Sequence, residues 1–156
     1  MPDEAETLAL GAALATSIFS GVVVHLCGDL GAGKTTLVRG LLRRLGYAEN
    51  VRSPTYTLVE LYAISSLDFY HFDFYRFDQP EEYLDAGLDE YFSGDGICLV
   101  EWPERAAPYL PAPDLRITLL VADGGRTAQL TALSTNGEQC LKKIELPVAR
   151  CKPASP

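Results

Sequence analysis

The sequence predicts an α/β fold: a three-layer sandwich around a mixed, mostly parallel sheet, with an antiparallel hairpin at the C-terminal end. Three observations carry this expectation. Short runs that suit strands alternate with stretches of helical period, and alternating elements of this kind build layered α/β domains. Two of those runs, VVVHLC (22–27) and ICLV (97–100), are apolar at nearly every position, as strands covered on both faces are. Near the end, PDLRITLLVADGGRTAQLTAL holds two alternating runs around ADGGR, which is hairpin turn chemistry. With 156 residues and 47% hydrophobic content the chain can bury one core. A single domain is expected over residues 1–146, and the Pro-rich stretch at 147–156 reads as a frayed, flexible tail.

In chain order, EAETLALGAALATSIF (4–19) spaces Leu8, Ala12, Ala15 and Phe19 three or four apart and predicts an amphipathic helix with those residues inward. VVVHLC is the first strand. KTTLVRGLLRRLG returns to helical period, with Gly46 as its stop. RSPTYTLVELY opens on Ser-Pro and continues in β-formers, a loop leading into a strand. LDFYHFDFYRF (67–77) alternates aromatic and polar residues, predicting a strand with its aromatics inward on one face. QPEEYLDAGLDEYF places Pro80 at a first helical turn with acids behind it, which suits a helix start. GICLVEWP is a short buried strand that ends in an acid, and the hairpin follows.

Composition narrows the function. Thirteen cations against twenty-one anions give a formal charge of −8, which disfavours sequence-independent binding to phosphate backbones. Any nucleic acid partner is expected to be held indirectly. The acidic start MPDEAETLAL has no secretion signal pattern, so a cytoplasmic location is expected. No apolar run reaches the roughly 20 residues that span a bilayer, so no membrane partner is expected. Cys27, Cys98, Cys140 and Cys151 form no C-x-x-C pair, and His25 and His71 lie at no zinc-finger spacing from them. His25 and His71 both fall inside strands, which leaves no case for a serine hydrolase triad.

One short stretch carries the chemistry. Of thirteen Lys and Arg residues only four are Lys, and Lys34 is the sole lysine before Lys142. It sits in GDLGAGKT, where Gly28, Gly33, Lys34 and Thr35 satisfy the phosphate-binding loop pattern at every fixed position. In such a loop, glycines let successive backbone N–H groups turn inward against a polyphosphate. The helix that follows adds its positive end. Lys34 reaches the β- and γ-phosphates as a mobile point charge, which arginine's rigid fork does not mimic. Thr35 offers a hydroxyl to Mg²⁺, and Thr36 a second one to the α-phosphate. A strand before and a helix after make the sandwich P-loop NTPase-like.

A triphosphate site also needs an acid near the metal and a group that orients water. Asp73 in HFDFYR and Glu101 in VEWPE both stand at strand ends, where ligands collect in open α/β sheets. Trp102, the one tryptophan, reads as a partner contact, a cover over the site or core. Arg126, on the turn beside Gly125, reads as a phosphate partner or as an exposed turn residue. Arg39, Arg43 and Arg44 read as a solvated helix face.

Several segments together resemble one family, the bacterial TsaE proteins of tRNA threonylcarbamoyladenosine formation. They are GDLGAGKTTLVRGLLRRLG, VRSPTYTLVELY, YHFDFYRF, PEEYLDAGLDEYF and ICLVEWPERA. SPTYTLV followed by HFDFYR and VEWPE is not shared by P-loop kinases generally. The resemblance implies a Walker-type ATPase using ATP and Mg²⁺, with residues Leu30, Gly31, Ala32, Gly33, Lys34 and Thr35 wrapped around the phosphates. It implies that Thr35 and Glu101 hold Mg²⁺, that Asp73 assists the metal or the hydrolytic water, and that Thr55 belongs to a switch-like segment. It places Asp3 and Gly125 near the nucleotide base or ribose. It further implies the TsaD–TsaB threonylcarbamoyl transferase pair as partners, with tRNA reached only through the complex. A small-molecule kinase and a nucleotide-gated docking module without turnover are the competing readings.

Overall fold

A computed structural model of the chain describes residues 4–54, 56–64, 66–122, 125–144 and 151–153. Asp3, Thr55 and most of the expected tail lie outside the described residues. The elements run α1 (Glu4–Ala15), β1 (Val23–Cys27), α2 (Lys34–Arg44), β2 (Val59–Ile64), β3 (Leu67–Asp73), α3 (Glu82–Asp85), β4 (Ile97–Glu101), β5 (Leu115–Ala122), β6 (Gly125–Ala132), α4 (Thr135–Lys143) and β7 (Cys151–Pro153). Single 3₁₀ turns occupy Leu88–Phe92 and Pro103–Ala106.

The strands form one seven-stranded sheet in the order β2-β3-β4-β1-β5-β6-β7. β3–β4, β4–β1, β1–β5 and β6–β7 are parallel. The expected late hairpin is β5–β6, antiparallel from Leu115↔Ala132 to Ala122↔Gly125. A second antiparallel pair, β2–β3, lies at the other edge. Only two residues separate these strands, far too few for a parallel crossover.

Alternation along each strand sends side chains to both faces, and both faces are covered. Val24, Leu26, Leu99, Ile117 and Phe69 pack under α1 and α2, joined by Cys140 of α4. Val23, Phe72, Cys98 and Val100 pack on the other side with Phe74, Phe77, Tyr83 and Leu88. The aromatic run 67–77 is therefore core on both faces. Its strand stops at Asp73, and Phe74 and Phe77 stack at 4.9 Å in the turn beyond.

Three helices differ from expectation. The buried stripe of α1 is Thr7, Leu10, Gly11, Leu14 and Ala15, so Leu8 and Ala12 lie at its margin. The cause is a close crossing: Gly11 lies against the Leu37 and Leu41 backbone, and Gly40 of α2 against that of Leu8. The helix expected from Pro80 is one turn, α3, because Gly87 adopts a left-handed conformation (φ 67°) that breaks it from the 3₁₀ turn after it. α4 was not expected. Its Ser134 cap accepts from Gly137 N–H at 3.0 Å and donates to Asp114, which also accepts from Val23 N–H at 2.8 Å. No described helix is long and apolar enough to cross a membrane.

Candidate functional site

β1 lies between β4 and β5, so the loop after Cys27 emerges at the carboxyl edge beside the ends of both. Gly28 and Gly33 take φ values of 145° and 108°. A methyl on Gly28 would stand 2.6 Å from the Leu119 carbonyl oxygen, and one on Gly33 3.1 Å from the Arg126 guanidinium. α2 starts at Lys34 with no side chain capping it, which leaves its first N–H groups turned to the loop.

Lys34 is buried. Its ammonium donates to the carbonyls of Gly28 and, at 3.3 Å, Asp29, and it stands 3.9 Å from the centre of the Trp102 ring. Burial lowers its pKa from the ordinary value, while Glu101, Glu104 and Asp73 pull it back up. Trp102 reaches this position through a left-handed backbone, φ 58°, directly after β4.

The two candidate acids end adjacent parallel strands, Asp73 paired with Glu101 in register. Both are buried. Thr35 Oγ1 donates to Glu101 Oε2 at 2.8 Å. Asp73 accepts from the Ser53 hydroxyl and, at 2.9 Å, from Tyr75 N–H. A cavity of about 270 Å³ gathers Leu30, Gly31, Ala32, Gly33, Lys34, Thr35, Thr36, Asp73 and Glu101 with Ser53, Tyr75, Trp102 and Arg126. A hollow of about 590 Å³ at the opposite end of the sheet, around Ser20, Asp68 and Glu90, has no phosphate-binding element.

Nearly all the described candidates thus share one cavity. Gly125 does not line it, but its neighbour Arg126 does, donating to the Gly31 carbonyl at 3.5 Å and the Thr7 hydroxyl at 3.4 Å. Asp3 and Thr55 are outside the described residues. Arg39 is not simply solvated, since it donates to the Val51 carbonyl at 3.1 Å. Sequence reasoning missed His71, whose Nε2 lies 2.6 Å from Glu101 Oε2. Its signal was spacing: two residues before Asp73, it shares that residue's face of β3.

Fold and site together define a P-loop NTPase-like α/β protein, with a glycine loop, a lysine and two acids converging at the carboxyl edge. The chain belongs to the TsaE family. The family model described as threonylcarbamoyl adenosine biosynthesis protein TsaE matches residues 1–128. The tRNA threonylcarbamoyladenosine biosynthesis protein TsaE of Haemophilus influenzae is 42% identical over 146 residues, covering 90% of this chain and 92% of that protein. Its namesake from Bacillus subtilis is 40% identical over 140 residues, covering 89% and 87%. The crystal structure of Bacillus subtilis YdiB superposes with a TM-score of 0.75 at 34% identity, covering 92% of this chain and 89% of that one.

Proposed function

We propose that this chain is a Mg²⁺-dependent ATPase of the cytoplasm that supports formation of N6-threonylcarbamoyladenosine at tRNA position 37, working in complex with the TsaD–TsaB transferase pair. The observation that carries the reading is the Thr35 hydroxyl meeting the Glu101 carboxylate at 2.8 Å beside the glycine loop. These are hard oxygen donors of the kind Mg²⁺ takes one or two at a time, completing its shell with phosphate oxygens and water. When bound, Mg²⁺ would neutralise charge on the β- and γ-phosphates.

The chain's own residues do the rest. Loop amides and the start of α2 receive the phosphates. Lys34 exchanges the Gly28 and Asp29 carbonyls for phosphate oxygens. Asp73, held at both carboxylate oxygens by Ser53 and Tyr75, is fixed to orient the attacking water. The net charge of −8 disfavours direct binding to a phosphate backbone and so supports tRNA being reached through the partners.

The test is steady-state ATP hydrolysis by the chain alone and with the transferase pair. Lys34→Ala should weaken ATP binding about 10- to 100-fold by deleting charged hydrogen bonds, and Glu101→Gln should abolish turnover. Glu101→Gln turnover equal to the wild type would overturn the metal assignment. Phosphate transfer to a metabolite would instead indicate a kinase. Nucleotide-dependent partner binding without turnover would indicate a gated docking module.

A further inference from the structure

We propose that His71 is a positioning residue of the metal site: its Nε2–H holds the Glu101 carboxylate in the orientation from which it serves Mg²⁺. The inference rests on the assignment of Thr35 and Glu101 made above and adds a residue that assignment does not use. Phe69, His71 and Asp73 share one face of β3, with Phe69 in the core beneath α2 and Asp73 at the cavity. His71, between them, is fully buried. The register pairs it with Leu99 and sets Glu101 diagonally across, two residues further along β4.

An imidazole so placed costs stability unless it is hydrogen-bonded. It has one contact that fits, Nε2 to Glu101 Oε2 at 2.6 Å, shorter than an ordinary N–H···O bond. An ionised carboxylate only accepts, so Nε2 donates, while Nδ1 has no partner among the described residues. Glu101 Oε2 therefore receives two donors, Thr35 Oγ1 and His71 Nε2. If the threonine hydroxyl turns to a cation, the histidine is the donor that remains. It restricts rotation of a long side chain at the cavity, as outer-shell partners do for metal ligands generally. Asp73 is held by different groups, Ser53 and Tyr75, so the two acids can be perturbed separately.

The experiment titrates Mg²⁺ into the full chain with a non-hydrolysable ATP analogue, following analogue binding by calorimetry, and repeats it in chelator. His71→Leu removes the donor, His71→Gln places an amide N–H₂ near the site of Nε2, and His71→Asn places it near Nδ1. The leucine and asparagine variants should need about 10- to 100-fold more Mg²⁺ for half-maximal tightening. The glutamine variant should stay near the wild type, and analogue affinity in chelator should not change. Equal Mg²⁺ requirements in the glutamine and asparagine variants would overturn the proposal, as would a loss in chelator that matches the loss with Mg²⁺. Wild-type binding indifferent to Mg²⁺ would overturn the metal assignment together with it. Mg²⁺-dependent wild-type binding matched by His71→Leu would overturn the positioning role alone.

Discussion

His25 shows how strongly one buried side chain can tie stability to pH. It lies within β1, its Nε2 has no hydrogen-bond partner among the described residues, and burial, aided by Arg116, lowers its pKa from 6.5 to about 4. The unfolded chain takes up a proton near pH 6.5, whereas the folded chain resists until about pH 4. Stability is therefore intact above the first value and falls as pH drops toward the second, by about 3 kcal/mol in all. Urea denaturation at pH 7 and pH 4.5 should show His25→Phe losing about 2–3 kcal/mol less than the wild type between the two conditions. Equal losses would mean that this ring is not the linked group. Residue chemistry was legible in the sequence where identity alone decides it, as at Lys34 and Thr35. It was not legible where a neighbour decides it. Trp102 covers Lys34 only because the backbone turns left-handed after Glu101, and His71 matters only because β4 lies beside β3.

Among the elements, α1 and α2 meet backbone to backbone through glycine. A methyl group on Gly40 would collide with the Leu8 carbonyl, so Gly40→Ala must push the helices apart. Overpacking of this kind costs about 1–3 kcal/mol, more than alanine's helix propensity returns. Because α2 begins at Lys34, a thermal melt and an ATP binding isotherm should both show the loss. Unchanged stability would mean that α1 moves freely over α2. This contact also explains why the inward face of α1 was misread: hydrophobic periodicity gives a glycine no weight, whereas the crossing is set by Gly11 and Gly40 and turns Leu10 and Leu14 inward beside them. Strand runs and the β5–β6 pairing were legible, since periodicity and turn residues encode them locally. The ends of α3 and the existence of α4 depended on one glycine φ and one serine cap.

For the whole molecule, the cavity draws on α2, β3, β4 and β6, so a nucleotide recognises only the assembled fold. ATP with Mg²⁺ at a hundred times its Kd should then raise the unfolding free energy by about 2.7 kcal/mol. In differential scanning fluorimetry this is a shift of several degrees, about 2–4 °C per kcal/mol at this size. Lys34→Ala at the same ligand concentration should lose about half of it or more, and an equal shift in that variant would place the nucleotide elsewhere. The layered class was legible because alternating elements leave few alternatives, while the strand order could not be read from local pattern. That order has a further consequence. β1 precedes the other described strands of the sheet in the chain, yet Val24 pairs with Leu99 on one side and Leu115 on the other. As the chain leaves a ribosome, the glycine loop emerges early with nothing to hold it in shape. Such distant pairings slow folding and leave apolar strands waiting in the open. Nucleotide cannot stabilise a nascent chain before β5 has appeared, so the interval between the two is when its apolar strands stand longest unpaired.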